Sequence, residues 1–327
     1  VHRGGRSSRM TPPPPPPLGR SRNKDGFGYD PALDDTALVS VRDALAQGRW
    51  GDVRTLLAET GDDWDRRGHR LIVLATEPTS AGWAEDWRLA EPDSSDAAAL
   101  HACAKVFRAL RGKEDPVVAR ELCRAAARMA PADPSPWLAL LILARRTGTD
   151  EERLQIFDQV RGRHREHHHA HFLMTACLAE RQQGDRDDPF HEVYDFASWA
   201  AEQAPADSPL CVLPVVAHAE RFRVLAAVGI EPRDPAYSRH WGSRRARQVM
   251  KSAFDWWLEW GTEEHPRRMV DLNFLAHAKY YEGRPGEAAA LFNRIGRHAT
   301  EEPWSYPDRD PGEAFRAVRS AATGRPR

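Results

Sequence analysis

The densest group of chemically capable side chains is a run of histidines, His164, His167, His168, His169 and His171, with Glu166 among them. On a helix, His164 with His168 and His167 with His171 form i, i+4 pairs. That spacing lets two imidazoles reach one metal ion from a single face. The run is not His-Glu-x-x-His. No glutamate directly follows the first histidine of either pair, where that motif places its base, and no distant third ligand can be named from the chain. The run also falls at a join between two helices, where imidazoles near a helix C-terminus are favourable to the dipole. A solvated or partly packed join is therefore the plainer account. A metal site on His164, His167, His168 and His171, or a metal-dependent enzyme built around it, is the alternative.

A second group interleaves cations and aromatics. Arg239, Arg244, Arg245, Arg247 and Lys251 lead into Phe254, Trp256, Trp257 and Trp260. Bases could grip phosphates while indoles stack on nucleobases. The two kinds of residue are mostly separated along the chain, however, and Met250, Phe254 and Trp257 recur at helical spacing, as a core stripe does. Trp256 and Trp260 share another face and would mark a partner surface if exposed. Nucleic acid is not the expected partner. Catalytic signatures are absent: no G-x-S-x-G, P-loop or G-x-G-x-x-G occurs, and the acids Asp62 and Asp63 lie in an expected loop without a partner. The chain reads as a non-enzyme with no cofactor.

The whole composition agrees with a folded chain of balanced charge. Of 327 residues, 41% are hydrophobic and 29% charged, with a net charge of -1. That balance excludes a surface built throughout for nucleic acid. No apolar run approaches the roughly 20 residues that cross a bilayer. The N-terminus lacks the apolar stretch of a secretory signal. Cys103, Cys123, Cys177 and Cys211 form no C-x-x-C pair and lie among apolar residues, as buried thiols of a reducing cytoplasm do. Residues 1 to 33 are expected to be disordered: they are basic, run through six prolines from Pro12 to Pro17, and contain Met10 as a candidate start.

The elements that must position these groups are helices, from Asp34 to about residue 300. Asp34 and Asp35 start the first, with Leu38, Val41 and Leu45 on one face. Helix pairs then follow one another. Asp115 caps a helix with Pro116 at its first position. Val118, Leu122, Ala125 and Met129 form its large apolar stripe, with small residues Ala119, Cys123, Ala126 and Ala130 alongside. The turn Pro131-Ala-Asp-Pro-Ser-Pro136 leads into Trp137, and a close relative returns at Pro205 to Leu210. Thr149-Asp-Glu-Glu152 fits a capping box, ahead of an inward face at Leu154, Phe157 and Val160 with Ile156 alongside. The loop Gly184 to Pro189 is lengthened by charged residues, and residues 301 to 327 read as a tail with one short helix from Gly312.

The chain resembles the tetratricopeptide repeat, written W-x2-L-G-x2-Y, A-x3-F, P. Leu272 and Leu275-Ala276 stand for the first part, Gly283 ends that helix, and Ala288-x3-Phe292 gives the second-helix signature. Trp137-x2-Leu140, Gly148 and Phe157 match in the middle of the chain, as do Ala119-x3-Cys123 and Pro131. Departures are Lys279 for the aromatic (Tyr280 beside it), Leu141 for a small residue, Arg153 for alanine and the late Pro303. The resemblance implies an all-α fold, an antiparallel helix-pair solenoid or tetratricopeptide-like superhelix of about seven pairs over residues 34 to 300. It also implies a concave groove lined by the first helix of each pair. Carried over by position, that groove would show Arg145, Arg146, Glu180, Arg181, His218, Arg221, Asn273, His277, Tyr280 and Tyr281. Its basic bias suits a protein or acidic peptide.

Overall fold

The structure is a computed structural model that describes residues 29–181, 188–261 and 264–324. Among the described residues it is all-helical, with no strand. The helices are α1 (Thr36–Ala46), α2 (Trp50–Thr60), α3 (Trp64–Ala75), α4 (Ser80–Ala90), α5 (Ser95–Leu110), α6 (Pro116–Met129), α7 (Ser135–Thr147) and α8 (Asp150–Arg163). They continue as α9 (His168–Ala179), α10 (Glu192–Gln203), α11 (Leu213–Ala227), α12 (Arg244–Trp260), α13 (Arg268–Tyr281), α14 (Pro285–Ile295) and α15 (Pro311–Thr323). No helix is long and apolar enough to cross a membrane. Most of the expected N-terminal tail and of the loop from Gly184 lies outside the described residues.

Two layers follow from how far round each helix is buried. The odd-numbered helices from α1 to α13 touch one another in succession, and the even-numbered ones lie against them. In the inner layer, α13 is buried continuously from Met269 to Lys279, whereas outer α8 buries only Ile156, Phe157 and Val160. A helix apolar on every side belongs inside, and one with a single stripe belongs at the surface.

Side-chain caps fix where the helices begin. Asp35, Asp63, Ser94, Asp115, Thr149 and Asp310 each accept a backbone N–H one turn into their helix. The expected capping box at Thr149 forms by half. Thr149 Oγ1 accepts from Glu152 N at 3.1 Å, but the Glu152 carboxylate turns to Arg120.

Two expected stripes are corrected. On α6 the small residues Ala119, Cys123 and Ala126 are buried, while Val118 and Met129 are 42% and 44% exposed. Close contact with α5 and α7 selects the small face, because small side chains let helix axes approach. On α8, Leu154 is 42% exposed, and Ile156 takes the inward place beside Phe157 and Val160.

Contacts also reach beyond nearest neighbours. Inner helix α3 touches α7 and α9 as well as α5. Gly68, in the interior of α3, permits this. A Cβ there would meet His167 Nε2 and Leu138 Cδ2, each at 3.2 Å. The two ends of the fold meet as well. Arg268 at the start of α13 donates to Asp34 at 3.1 Å. A Cβ on Gly312 of α15 would come within 3.0 Å of the Tyr29 hydroxyl. Residues 29–33 belong to the fold: Ala32 and Leu33 are buried, and Asp30 is ion-paired with Arg42.

The segment expected to be a tail is built in. Trp304 and Tyr306 are buried, Trp304 against Phe292, Phe315 and His277, and Tyr306 edge-on to Phe274.

Candidate functional site

The histidine run starts α9 and is divided among different tasks. His167 is the N-cap, its Nδ1 accepting from Ala170 N at 3.3 Å. His171 Nδ1 donates to the His167 carbonyl at 2.8 Å. Asp65 on α3 secures the same turn from outside. Its Oδ1 accepts from His168 N at 2.8 Å and its Oδ2 lies 2.7 Å from His164 Nε2. The expected i, i+4 pairs therefore do not converge on one point. His164 turns to Asp65, while His167 and His171 are used inside the helix.

His168 points the other way. Its ring stacks on Phe172 at 4.2 Å between centroids, and its Nε2 lies 2.8 Å from Asp271 Oδ1 on α13. The other carboxylate oxygen, Asp271 Oδ2, is 2.8 Å from Nε2 of His265, in the segment leading into α13. Among the described residues, His168, His265 and Asp271 form a group in which one potential ligand atom from each lies within 4.8 Å of the others. Only His168 of this trio was foreseeable from local spacing, because His265 and Asp271 arrive from about a hundred residues away. Asp271 lies two residues before Asn273 on the same inner helix, and that was the available signal.

Burial dominates the electrostatics. It drives His167 and His171 down to about 4, and it lowers His168 against the opposing pull of Asp271. For Asp271, burial works upward, but the neighbouring His168 and His265 outweigh it and hold the carboxyl at about 2. Asp65 is held well below the usual range. Burial opposes this, and the His164 hydrogen bond with the fields of His167 and His168 overcomes it. His164 itself is raised, since Asp65 more than offsets its desolvation. Arg267 stands beside the cluster, lowered by burial and supported by Asp271, Glu302 and Asp65.

Beside the cluster is a small pocket. Trp256, Trp257 and Trp260 of α12 line it with His265, Arg268 and Asp271. All three indoles are half-buried, and Trp256 Nε1 donates to the Ala206 carbonyl at 3.0 Å. Gly261 closes the helix under Trp257; a Cβ there would fall 2.6 Å from Trp257 Cδ1. Met250 is in the core and Phe254 and Trp257 pack on it. Two of the basic residues nearby are engaged: Arg245 pairs with Asp195 and covers the Tyr194 ring, and Lys251 pairs with Asp255.

The residues expected to line a groove separate into two sets. Arg145 and Arg223 both donate to Glu180 Oε1 at 2.7 Å, and Arg223 also donates to Glu220 at 2.8 Å. Arg181 pairs with Asp150 and Glu192, and Arg146 is exposed. Tyr280 and Tyr281 are half-buried, Tyr281 Oη accepting from Arg309 at 3.1 Å.

The rest of the set faces the chain's own interior. Arg221 donates to the Ala179 carbonyl at 2.8 Å. His218 lies between Tyr194 and His240. His277 is enclosed by Trp241, Tyr281 and Trp304. Asn273 is fully buried and uses its whole amide. Nδ2 donates to Met269 O and His298 O, and Oδ1 accepts from Trp304 Nε1 at 2.8 Å and from Thr300 N at 3.4 Å. Asn273 therefore holds the segment after α14 and has no group left for an outside ligand, while the His277 ring is fully buried against Trp304 of the same segment.

That segment lies over the charged set. Tyr306 hydrogen-bonds Glu220 through its hydroxyl and lies under the Arg223 guanidinium, 5.6 Å from its ring centroid. Glu302 is raised, first by burial and then by Glu220, with Arg145 and Arg223 acting in the opposite direction. Glu220, Arg223, Glu302 and Tyr306 were not expected at a site. Glu220 and Arg223, one turn apart on an apolar helix, were the legible hint. No family model matches this chain, and no curated protein is similar to it in sequence.

Proposed function

We propose that the chain is a non-catalytic helical-repeat module, a tetratricopeptide-like superhelix of about seven helix pairs, which binds a protein or acidic peptide against its inner helices. One observation carries this reading. The protein's own segment from Thr300 to Asp310, with its acids and aromatics, is laid across α11 and α13 and engages Arg223, Glu220, Asn273 and Tyr281. It is an internal example of the ligand chemistry the inner face would take. Glu302 lies in the favourable field of Arg145 and Arg223, and Trp304 and Tyr306 fill aromatic niches. A partner of this kind would take the place of the internal segment. A cytoplasmic setting fits the reading, since all four cysteines are free thiols.

The test uses a labelled peptide of the sequence Glu301 to Asp310 and the full chain. Weakening the internal segment with Glu302→Ala and Tyr306→Ala should raise the affinity for the added peptide by about tenfold or more, because a larger fraction of molecules presents the face. Binding should weaken with salt. If the doubly substituted chain remains folded by circular dichroism and takes up no peptide at about 100 µM, the inner-face reading fails.

A further inference from the structure

We infer that His168, His265 and Asp271 form a binding site for a divalent first-row transition-metal ion, with an open coordination position facing the tryptophan pocket of α12. The donor set is two imidazoles and one carboxylate. Imidazole nitrogen suits zinc, copper, iron and nickel, whereas calcium and magnesium call for oxygen cages. The atoms are already gathered. Each carboxylate oxygen of Asp271 has an imidazole Nε2 at 2.8 Å, and the trio falls within 4.8 Å. An ion about 2.0–2.2 Å from each atom needs them roughly 3 to 3.5 Å apart. Small side-chain rotations supply that.

The contacts within the trio differ in kind. His168 Nε2 and Asp271 Oδ1 form a hydrogen bond, but Asp271 Oδ2 and His265 Nε2 have only its distance and not its alignment. A carboxylate oxygen and a ring nitrogen that face each other in this way can share a cation. His168 and Asp271 are fixed on buried helices, and His265 lies at the edge, where Pro266 and Arg267 follow it into α13. The site is thus two-thirds rigid and open on the side where His265 and Asp271 line the pocket. Three protein ligands and one free position is the pattern of a metal that also meets a ligand. Arg267 next to the trio works against any cation, and its charge is countered first by Asp271 itself and then by Glu302 and Asp65. The ligand set differs from the local histidine run. Only His168 belongs to both, because Asp65 has taken His164.

Equilibrium dialysis of the full chain without an affinity tag, with Zn²⁺ and separately with Co²⁺, tests the site. The expected result is one ion per chain. The affinity should fall more than about a hundredfold in His265→Ala and in Asp271→Asn, beyond the loss typical of groups outside the coordination sphere. His164→Ala should bind normally. Co²⁺ should quench tryptophan emission in the wild-type chain and fail to do so in His265→Ala, because the ion lies beside the α12 indoles. His265→Ala touches no helix interior and keeps the test valid if Asp271→Asn does not fold. Equal binding by wild type and His265→Ala would overturn the proposal, as would loss of the ion in His164→Ala with His265→Ala unaffected.

Discussion

Single residues here show how burial rewrites side-chain chemistry. Burial drives His69, His218 and His277 down to about 3, and His101, His167 and His171 down to about 4. All six are neutral in the folded chain near neutrality, whereas in the unfolded chain they take a proton below about 6.5. The unfolded state therefore binds more protons as pH falls, and stability is lost from about 6.5 down towards the folded values. Each group contributes up to about 1.4 kcal/mol per pH unit. His164 has the opposite sign. Its raised value adds stability below about 6.5 that is lost as pH rises through it, but it is one group against six. We expect the urea midpoint to drop steeply between pH 7.5 and pH 5.5, and a flat profile would contradict the burial of these rings. In the sequence His218 and His277 were candidate groove residues, and the histidines around the start of α9 were a local spacing. Which ones turn inward depends on Asp65 and Asp271, and no pattern within α9 reports residues on α3 and α13.

At the scale of elements, the turn before α7 shows what was legible and what was not. Pro131-Ala-Asp-Pro-Ser-Pro136 marks a helix boundary plainly, and the helices on both sides begin and end where turn chemistry puts them. Its aspartate does more. Asp133 is buried, accepts from Ser135 N at 2.8 Å and pairs with Arg67 Nε of α3 at 2.8 Å, while Arg67 also reaches Asp96 of α5 at 2.6 Å. One guanidinium thus fastens three elements. Asp133→Ala should cost about 3–5 kcal/mol by leaving that charge partly uncompensated. Asp133→Asn should cost less, since it can still accept from Ser135. A denaturation midpoint for the alanine variant equal to wild type would refute this role. Arg153 makes the same point. It breaks the repeat pattern because its guanidinium covers the carbonyls of Ala144, Arg145 and Gly148 at the end of α7. The stripe on α6 misled for a related reason. Periodicity locates faces, but only the distance to α5 and α7 decides that the small face is inside.

Over the whole molecule, a helical array touching only its neighbours would unfold piecemeal. Here α3 meets α9, Asp65 joins α3 to the start of α9, and Asp271 joins α9 to α13. Arg268 then brings α13 back to Asp34. Such cross-links couple distant helices into one cooperative unit. Guanidinium unfolding followed by circular dichroism and by tryptophan emission should give coincident curves. Two separated transitions would show that the cross-links are weaker than the contacts between adjacent helices. The all-helical character of the chain was open to inspection in its periodicity, caps and prolines. The cross-links were not, since each joins residues far apart in sequence with no local mark on either.

The meeting of Asp34 with Arg268 spans 234 positions along the chain. Most other contacts of a helical protein are local and form early, but this one must close a very long loop, whose entropic cost grows as about (3/2)RT ln n. The seam is therefore expected to zip last, after the helices on either side have assembled. It also brings the two ends of the fold together at Tyr29 and Gly312. A circular permutant that joins these ends and opens the chain elsewhere would bring the two sides of this contact much closer along the chain.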